Sequence, residues 1–133
     1  MIDVMNFIRQ YADEIGGQFN EYDEAKAVIV VPLSASRFQT VLGVTRKSAT
    51  SGKEQLVFTS KVCEYDSSIN PKELLEENFT FDFSKFILEE GYLKIEASCL
   101  PSSATQEQVK EMIQEVASLA DQFELKFTGQ DIH

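Results

Sequence analysis

Asn70-Pro71-Lys72-Glu73-Leu74-Leu75-Glu76-Glu77-Asn78 leads through Phe79-Thr80-Phe81-Asp82 into Phe83-Ser84-Lys85-Phe86-Ile87-Leu88-Glu89-Glu90-Gly91-Tyr92-Leu93-Lys94-Ile95-Glu96-Ala97. Read on to Phe123, this stretch predicts a short helix, a β-hairpin and a long amphipathic helix in unbroken succession. Asn70 is placed to cap the short helix. Pro71 takes the first helical position, where a missing N–H costs nothing, and Glu73 is placed to reach back to the cap. From Phe79 the pattern turns to period two. Phe79, Phe81 and Phe83 alternate with Thr80, Asp82 and Ser84, as along an extended segment. In the second hairpin strand Leu93, Ile95, Ala97 and Cys99 oppose Tyr92, Lys94, Glu96 and Ser98, the alternation of a half-buried antiparallel strand. Gly91 supplies the positive φ of a tight turn. Thr105, with Gln108 three residues on, starts the last helix. Val109, Met112, Ile113, Val116, Ala117, Ala120 and Phe123 mark its apolar face.

Upstream, Asp3 to Ile15 has helical spacing, with Asp3 as cap and Gly16-Gly17 as terminator. Val4, Met5, Ile8, Ala12 and Ile15 form its stripe, flanked by Phe7 and Tyr11. Three strands follow. Lys26 to Leu33 is β-branched and almost wholly apolar, which suits a strand that is central or covered on both faces, and Pro32 should end its ladder. Arg37 to Arg46 alternates, with Phe38, Thr40, Leu42 and Val44 opposite Arg37, Gln39, Val41, Gly43 and Thr45. Gln55 to Tyr65 alternates too, with Leu56, Phe58 and Val62 opposite Val57, Thr59, Lys61 and Cys63. Short loops between sequential strands make an antiparallel meander. The expected order is α-β-β-β-α-β-β-α: one α+β domain over residues 1–125, with a five-stranded antiparallel sheet, helices packed mainly on one face, and a tail over residues 126–133.

Composition excludes several function classes. The chain has 133 residues, 43% of them hydrophobic, and a net charge of −10. Such a charge repels phosphate backbones and anionic membranes, so neither nucleic acid nor membrane is an expected partner. It favours solubility and a basic partner. Cys63 and Cys99 have no C-x-x-C spacing and are read as reduced thiols. The first residues lack the pattern of a signal peptide, and the longest apolar run, Ala27 to Leu33, is too short to span a bilayer. A cytoplasmic location is the expectation.

Catalytic chemistry is not visible. The single histidine, His133, is the last residue and has no orienting partner in view. With two separated cysteines and no other histidine, no zinc-type ligand set arises, and no metal or cofactor is expected. Thr50-Ser51-Gly52-Lys53-Glu54 fails as a phosphate loop, because Glu54 stands where a Ser or Thr would hold magnesium and the segment joins two strands. The pairs Asp23/Glu24, Glu76/Glu77 and Glu89/Glu90 are sequence neighbours that point apart along a strand. What remains is the apolar concentration of Leu74, Leu75, Phe79, Phe81, Phe83 and Phe86, more than a short helix and one sheet edge readily hide. It is therefore either core packing or an interface.

Leu74-Leu75-x-x-Asn78, then Phe83-x-x-Phe86-x-Leu88-x-x-Gly91-x-Leu93-x-Ile95, and the closing helix from Thr105, together resemble the YbjN family, which shares the fold of the small chaperones of bacterial type III secretion. The extra Phe79-Thr80-Phe81-Asp82 has no place in that pattern. The resemblance implies a compact α+β protomer that forms a homodimer through its middle helix and adjoining strand. By position these are Leu74, Leu75, Phe79, Phe81 and Phe83. It implies no catalytic residue. The function expected is a non-enzymatic protein-binding module, chaperone-like or regulatory, acting on a protein client. A small-molecule sensor with a ligand in an apolar pocket between sheet and helices is the alternative.

Overall fold

The computed structural model describes residues 3–23, 25–34 and 36–129. The elements run α1 (Val4–Glu14), β1 (Gln18–Asp23), β2 (Lys26–Pro32), β3 (Phe38–Lys47), β4 (Glu54–Glu64), α2 (Pro71–Asn78), β5 (Ser84–Glu89), β6 (Tyr92–Cys99) and α3 (Gln106–Thr128). This is an α+β domain with one antiparallel sheet. The sheet has six strands, in the order β1-β2-β3-β4-β6-β5, not the five expected. The added strand is β1, Gln-Phe-Asn-Glu-Tyr-Asp, which occupies the sheet edge and buries part of Phe19 alone. An edge strand needs few apolar residues, so its sequence carries almost no periodic signal.

The helix caps form as the residues dictate. Asp3 accepts from the Asn6 N–H, Asn70 from Lys72 and Thr105 from Gln108. Glu73 does not close a capping box; it accepts instead from the Lys126 ammonium at 2.8 Å. α3 continues past the expected end of the domain to Thr128 and stops at Gly129, whose φ of 73° is the left-handed cap glycine permits. Residues 130–133 of the expected tail lie outside the described residues. At the hairpin turn both central residues, Glu90 (φ 54°) and Gly91 (φ 81°), are left-handed, as a type I′ turn requires.

The core lies between the sheet and the helices α1 and α3. The α3 face holds as read, with Val109, Met112, Ile113, Val116, Ala117, Ala120 and Phe123 all buried. The α1 face is rotated. Phe7 and Tyr11 are buried beside Ile8 and Ala12, and Val4 and Ile15 lie at the margin. A register shift between Lys61 and Cys63 brings Cys63 inward next to Val62, against simple alternation. Lys26 to Pro32 carries apolar residues on both faces, yet the strand register leaves one face without a helix among the described residues. Ile29 and Val31 belong to the core, whereas Val28 and Val30 remain half-exposed.

β3 inverts its apparent polarity. Gln39 is fully buried and Phe38 is 55% exposed. Gln39 is tolerated because its Nε2 donates to Ser60 Oγ and to the Lys61 carbonyl, both at 3.0 Å. Ser60 Oγ in turn donates to the Thr40 carbonyl at 2.6 Å. These bonds offset the desolvation of the amide nitrogen, while the buried Gln39 Oε1 has no hydrogen-bond partner among the described residues.

Candidate protein-interaction surface

The apolar concentration read from the sequence divides in the structure. α2 lies beside the edge strand β5. Leu74, on its inner side, is buried, and Leu75 one residue on is 69% exposed. Phe79 ends the helix and is 93% exposed. The segment from Phe79 to Phe83 is a turn, not an extended strand; β5 begins at Ser84. The three phenylalanines therefore do not share a side. Phe81 packs its ring against Phe86 and Phe123, with centroids 5.6 and 6.0 Å apart, and Phe86 meets Phe123 edge-on at 4.9 Å. Phe83 packs against the same core. Of Leu74, Leu75, Phe79, Phe81 and Phe83, only Leu75 and Phe79 present open apolar surface.

Leu88, a hairpin-motif residue outside the expected interface set, joins them. It is 57% exposed near the end of β5. Its alternation with Phe86 places it on the core side, but neither α2 nor α3 covers it. Between α2 and β5 runs a groove of about 210 Å³, with Pro71, Leu74 and Leu75 on the helix side and Phe86, Leu88 and Leu93 on the strand side.

Two polar clamps hold this region in place. Glu115 of α3 accepts three hydrogen bonds from the connector: from Asp82 N–H and Phe83 N–H at 2.8 Å each, and from Ser84 Oγ at 2.6 Å. One carboxylate thus satisfies the backbone donors of a segment that has no secondary structure of its own. Asn78 Oδ1 accepts the Phe86 N–H at 2.8 Å, which caps a donor that points off the sheet edge. The groove is consequently apolar, and its edge strand is partly closed to strand addition.

Ionisable groups nearby behave as structural ones. The Lys94 ammonium beside Glu89 holds that carboxyl below its ordinary range. Burial pushes the thiols of Cys63 and Cys99 up, away from a reactive thiolate. Among the described residues no group of three or more His, Cys, Asp or Glu side chains is placed to hold a metal ion. Also among them, no helix is long and apolar enough to cross a membrane.

A solved structure of the same fold is a chain of the heterodimeric ExoU–SpcU complex from the type III secretion system of Pseudomonas aeruginosa. It superposes with a TM-score of 0.64 at 12% identity, over 98% of this chain and 100% of that one. At that identity the likeness is one of fold, and it agrees with the expectation of a type III secretion chaperone-like architecture. No family model matches the chain, and no curated protein matches it.

Proposed function

We propose that this chain is a non-enzymatic protein-binding module, chaperone-like or regulatory, that self-associates through the α2–β5 rim and acts on a protein client. The observation that carries the reading is the exposed trio Leu75, Phe79 and Leu88 around an apolar groove, on a fold shared with a chain of a heterodimeric secretion complex. Clustered large apolar side chains held in water by a well-clamped scaffold mark interaction surfaces. The finer affinity to YbjN proteins rests on the Leu74-to-Ile95 motif and the closing helix from Thr105. The alternative of a small-molecule sensor finds little support in this groove, since its 210 Å³ lies below the roughly 300–1,000 Å³ of ordinary ligand pockets.

Sedimentation velocity at micromolar concentration tests the self-association. The wild type is expected to sediment as a dimer, and Phe79→Asp with Leu75→Asp to sediment as a folded monomer. A wild-type monomer that the double substitution leaves unchanged removes the homodimer from the proposal. Client binding has its own test. Recovery of the same partners from host lysate by wild type and by the double variant would detach the client from this rim.

A further inference from the structure

The sheet has a second face, and among the described residues no helix covers it. Strand register assigns its residues. Val28 pairs with Leu42, Leu42 with Thr59, and Thr59 with Glu96; Val44 pairs with Val57, and Lys85 with Glu96. α1 and α3 pack on the opposite side, against Ile29, Val41, Phe58 and Ile95. The open face therefore carries an apolar centre of Val28, Val30, Leu42 and Val44, all half-exposed, with Phe38 projecting at one end. Beside Phe38 lies a depression of about 290 Å³ bounded by Gly17, Gln18, Val30 and Pro32. It is large enough for an apolar side chain to anchor in.

Charge on this face departs from the rest of the molecule. Arg46 follows Val44 on β3, Lys61 lies on the neighbouring β4 and Lys85 on the edge strand β5, so exposed cations line one side of the apolar centre. Glu96, the carboxylate between Arg46 and Lys85, is nearly buried, and it lies 3.7 Å from Arg46 and 3.8 Å from Lys85, beyond hydrogen-bond distance of either; Glu89, on the same face at the end of β5, is exposed and pairs with Lys94. Lys61 rests over the Tyr92 ring at 4.3 Å, and its cross-strand neighbour is another cation, Lys94, which is engaged by Glu89. Asp23 beside Lys26, and Glu64, lie at the strand ends. On a chain of net charge −10, this is a face where the exposed charges beside the apolar centre are positive.

The geometry points to a docking site for an acidic amphipathic helix of a partner protein on this face. Its apolar side would lie on Val28, Val30, Leu42 and Val44, one large side chain would enter the depression beside Phe38, and flanking carboxylates would reach Arg46, Lys61 and Lys85. A helix is the element that covers a sheet face in this fold, as α1 and α3 do on the other side. Charge complementarity sets the sign, because the exposed guanidinium and ammonium groups have hydrogen-bonding capacity that Glu96 does not take up. The site lies on the opposite face of the sheet from Leu75, Phe79 and Leu88 and shares with the rim only the strand β5, whose outward Lys85 belongs to it.

The test uses a fluorescein-labelled helical peptide with leucines on one face and glutamates along its flanks, followed by fluorescence anisotropy and by amide chemical shifts of the full chain. Saturable binding is expected, weakened by added salt and weakened about tenfold or more by Lys61→Glu with Lys85→Glu. Both positions are solvent-facing, and circular dichroism confirms that the variant is folded. Shifts should cluster on Val28, Val30, Leu42 and Val44. Leu75→Asp with Phe79→Asp should bind as wild type does, which separates this site from the rim. The same peptide with lysine for glutamate should not bind. No binding at millimolar peptide, equal binding of the lysine peptide, indifference to the charge reversal, or shifts confined to α2 and β5 would each overturn the proposal. So would tighter binding to phosphatidylserine vesicles or single-stranded DNA than to the acidic peptide.

Discussion

At the scale of single residues, Glu90 shows how a turn sets a requirement its sequence does not meet fully. A left-handed φ costs a residue with a Cβ roughly 1–2 kcal/mol, and asparagine bears it more easily. Glu90→Asn should therefore stabilise the fold by roughly 0.5–1 kcal/mol, read from the midpoint of urea unfolding. Glu115 is the opposite case, a residue that satisfies more than one neighbour. Its loss in Glu115→Ala strands two backbone N–H groups and a hydroxyl at the α2–β5 connector. The expected cost is about 2–3 kcal/mol, with Glu115→Gln falling between the two by the same measurement. Nothing in the sequence marks Glu115 among the chain's many carboxylates, because its partners come from 31 to 33 residues away. Glu89 gives a pH signature. Its folded-state value lies below the unfolded one through the hydrogen bond and charge of Lys94. Its contribution is therefore present above the ordinary carboxylate range and is lost as pH falls through the depressed value. Glu89→Gln should cost under about 1 kcal/mol at neutral pH, since the Glu89 side chain is half-exposed, and the difference should vanish in acid.

At the scale of elements, the junction of α1 with the sheet rests on Gly17. A Cβ there would stand 2.2 Å from the Val30 carbonyl oxygen, a backbone atom that cannot swing aside. Gly17→Ala should destabilise by about 1–3 kcal/mol and loosen the β1–β2 edge, seen as faster amide exchange in β1. Gly16 and Gly17 read as a helix stop, and that much holds. The second role, close backbone approach, depends on a strand the sequence hardly shows. α3 is the element most completely legible in advance, since its apolar positions recur over several turns and all face one sheet. The phenylalanine run is the least. Period two in Phe79, Phe81 and Phe83 is also compatible with a turn, and tertiary packing against Phe123 decided for the turn. The candidate rim was legible as a neighbourhood but not as a surface. Its composition was visible, while the split between buried Leu74 and exposed Leu75 depends on how α2 is rotated against β5.

At the scale of the whole molecule, the net charge of −10 conceals an uneven distribution. The open sheet face has exposed cations beside its apolar centre, so the carboxylates crowd elsewhere and repel one another. Stability should rise from low to moderate salt as that repulsion is screened, a trend followed in thermal unfolding; a fall would mean that screened ion pairs matter more. What the sequence determined by itself is the set of elements with strong local signals: the capped helices, the hairpin at Glu90-Gly91, the meander from Lys26, and the inward face of α3. These depend on capping chemistry and periodicity, which neighbours in the chain impose on one another. Only the tertiary structure decided which face of the sheet is core. β2 and β3 carry apolar residues on both sides, and Phe38, Leu42 and Val44 look the more buried set by composition. The helices lie on the other side, over Ile29 and Val41, and Gln39 goes inside because Ser60 and the Lys61 carbonyl are there to receive it. A strand's alternation shows that it has two faces. Which one is covered depends on where the connections carry α1 and α3, and that is a property of the whole chain.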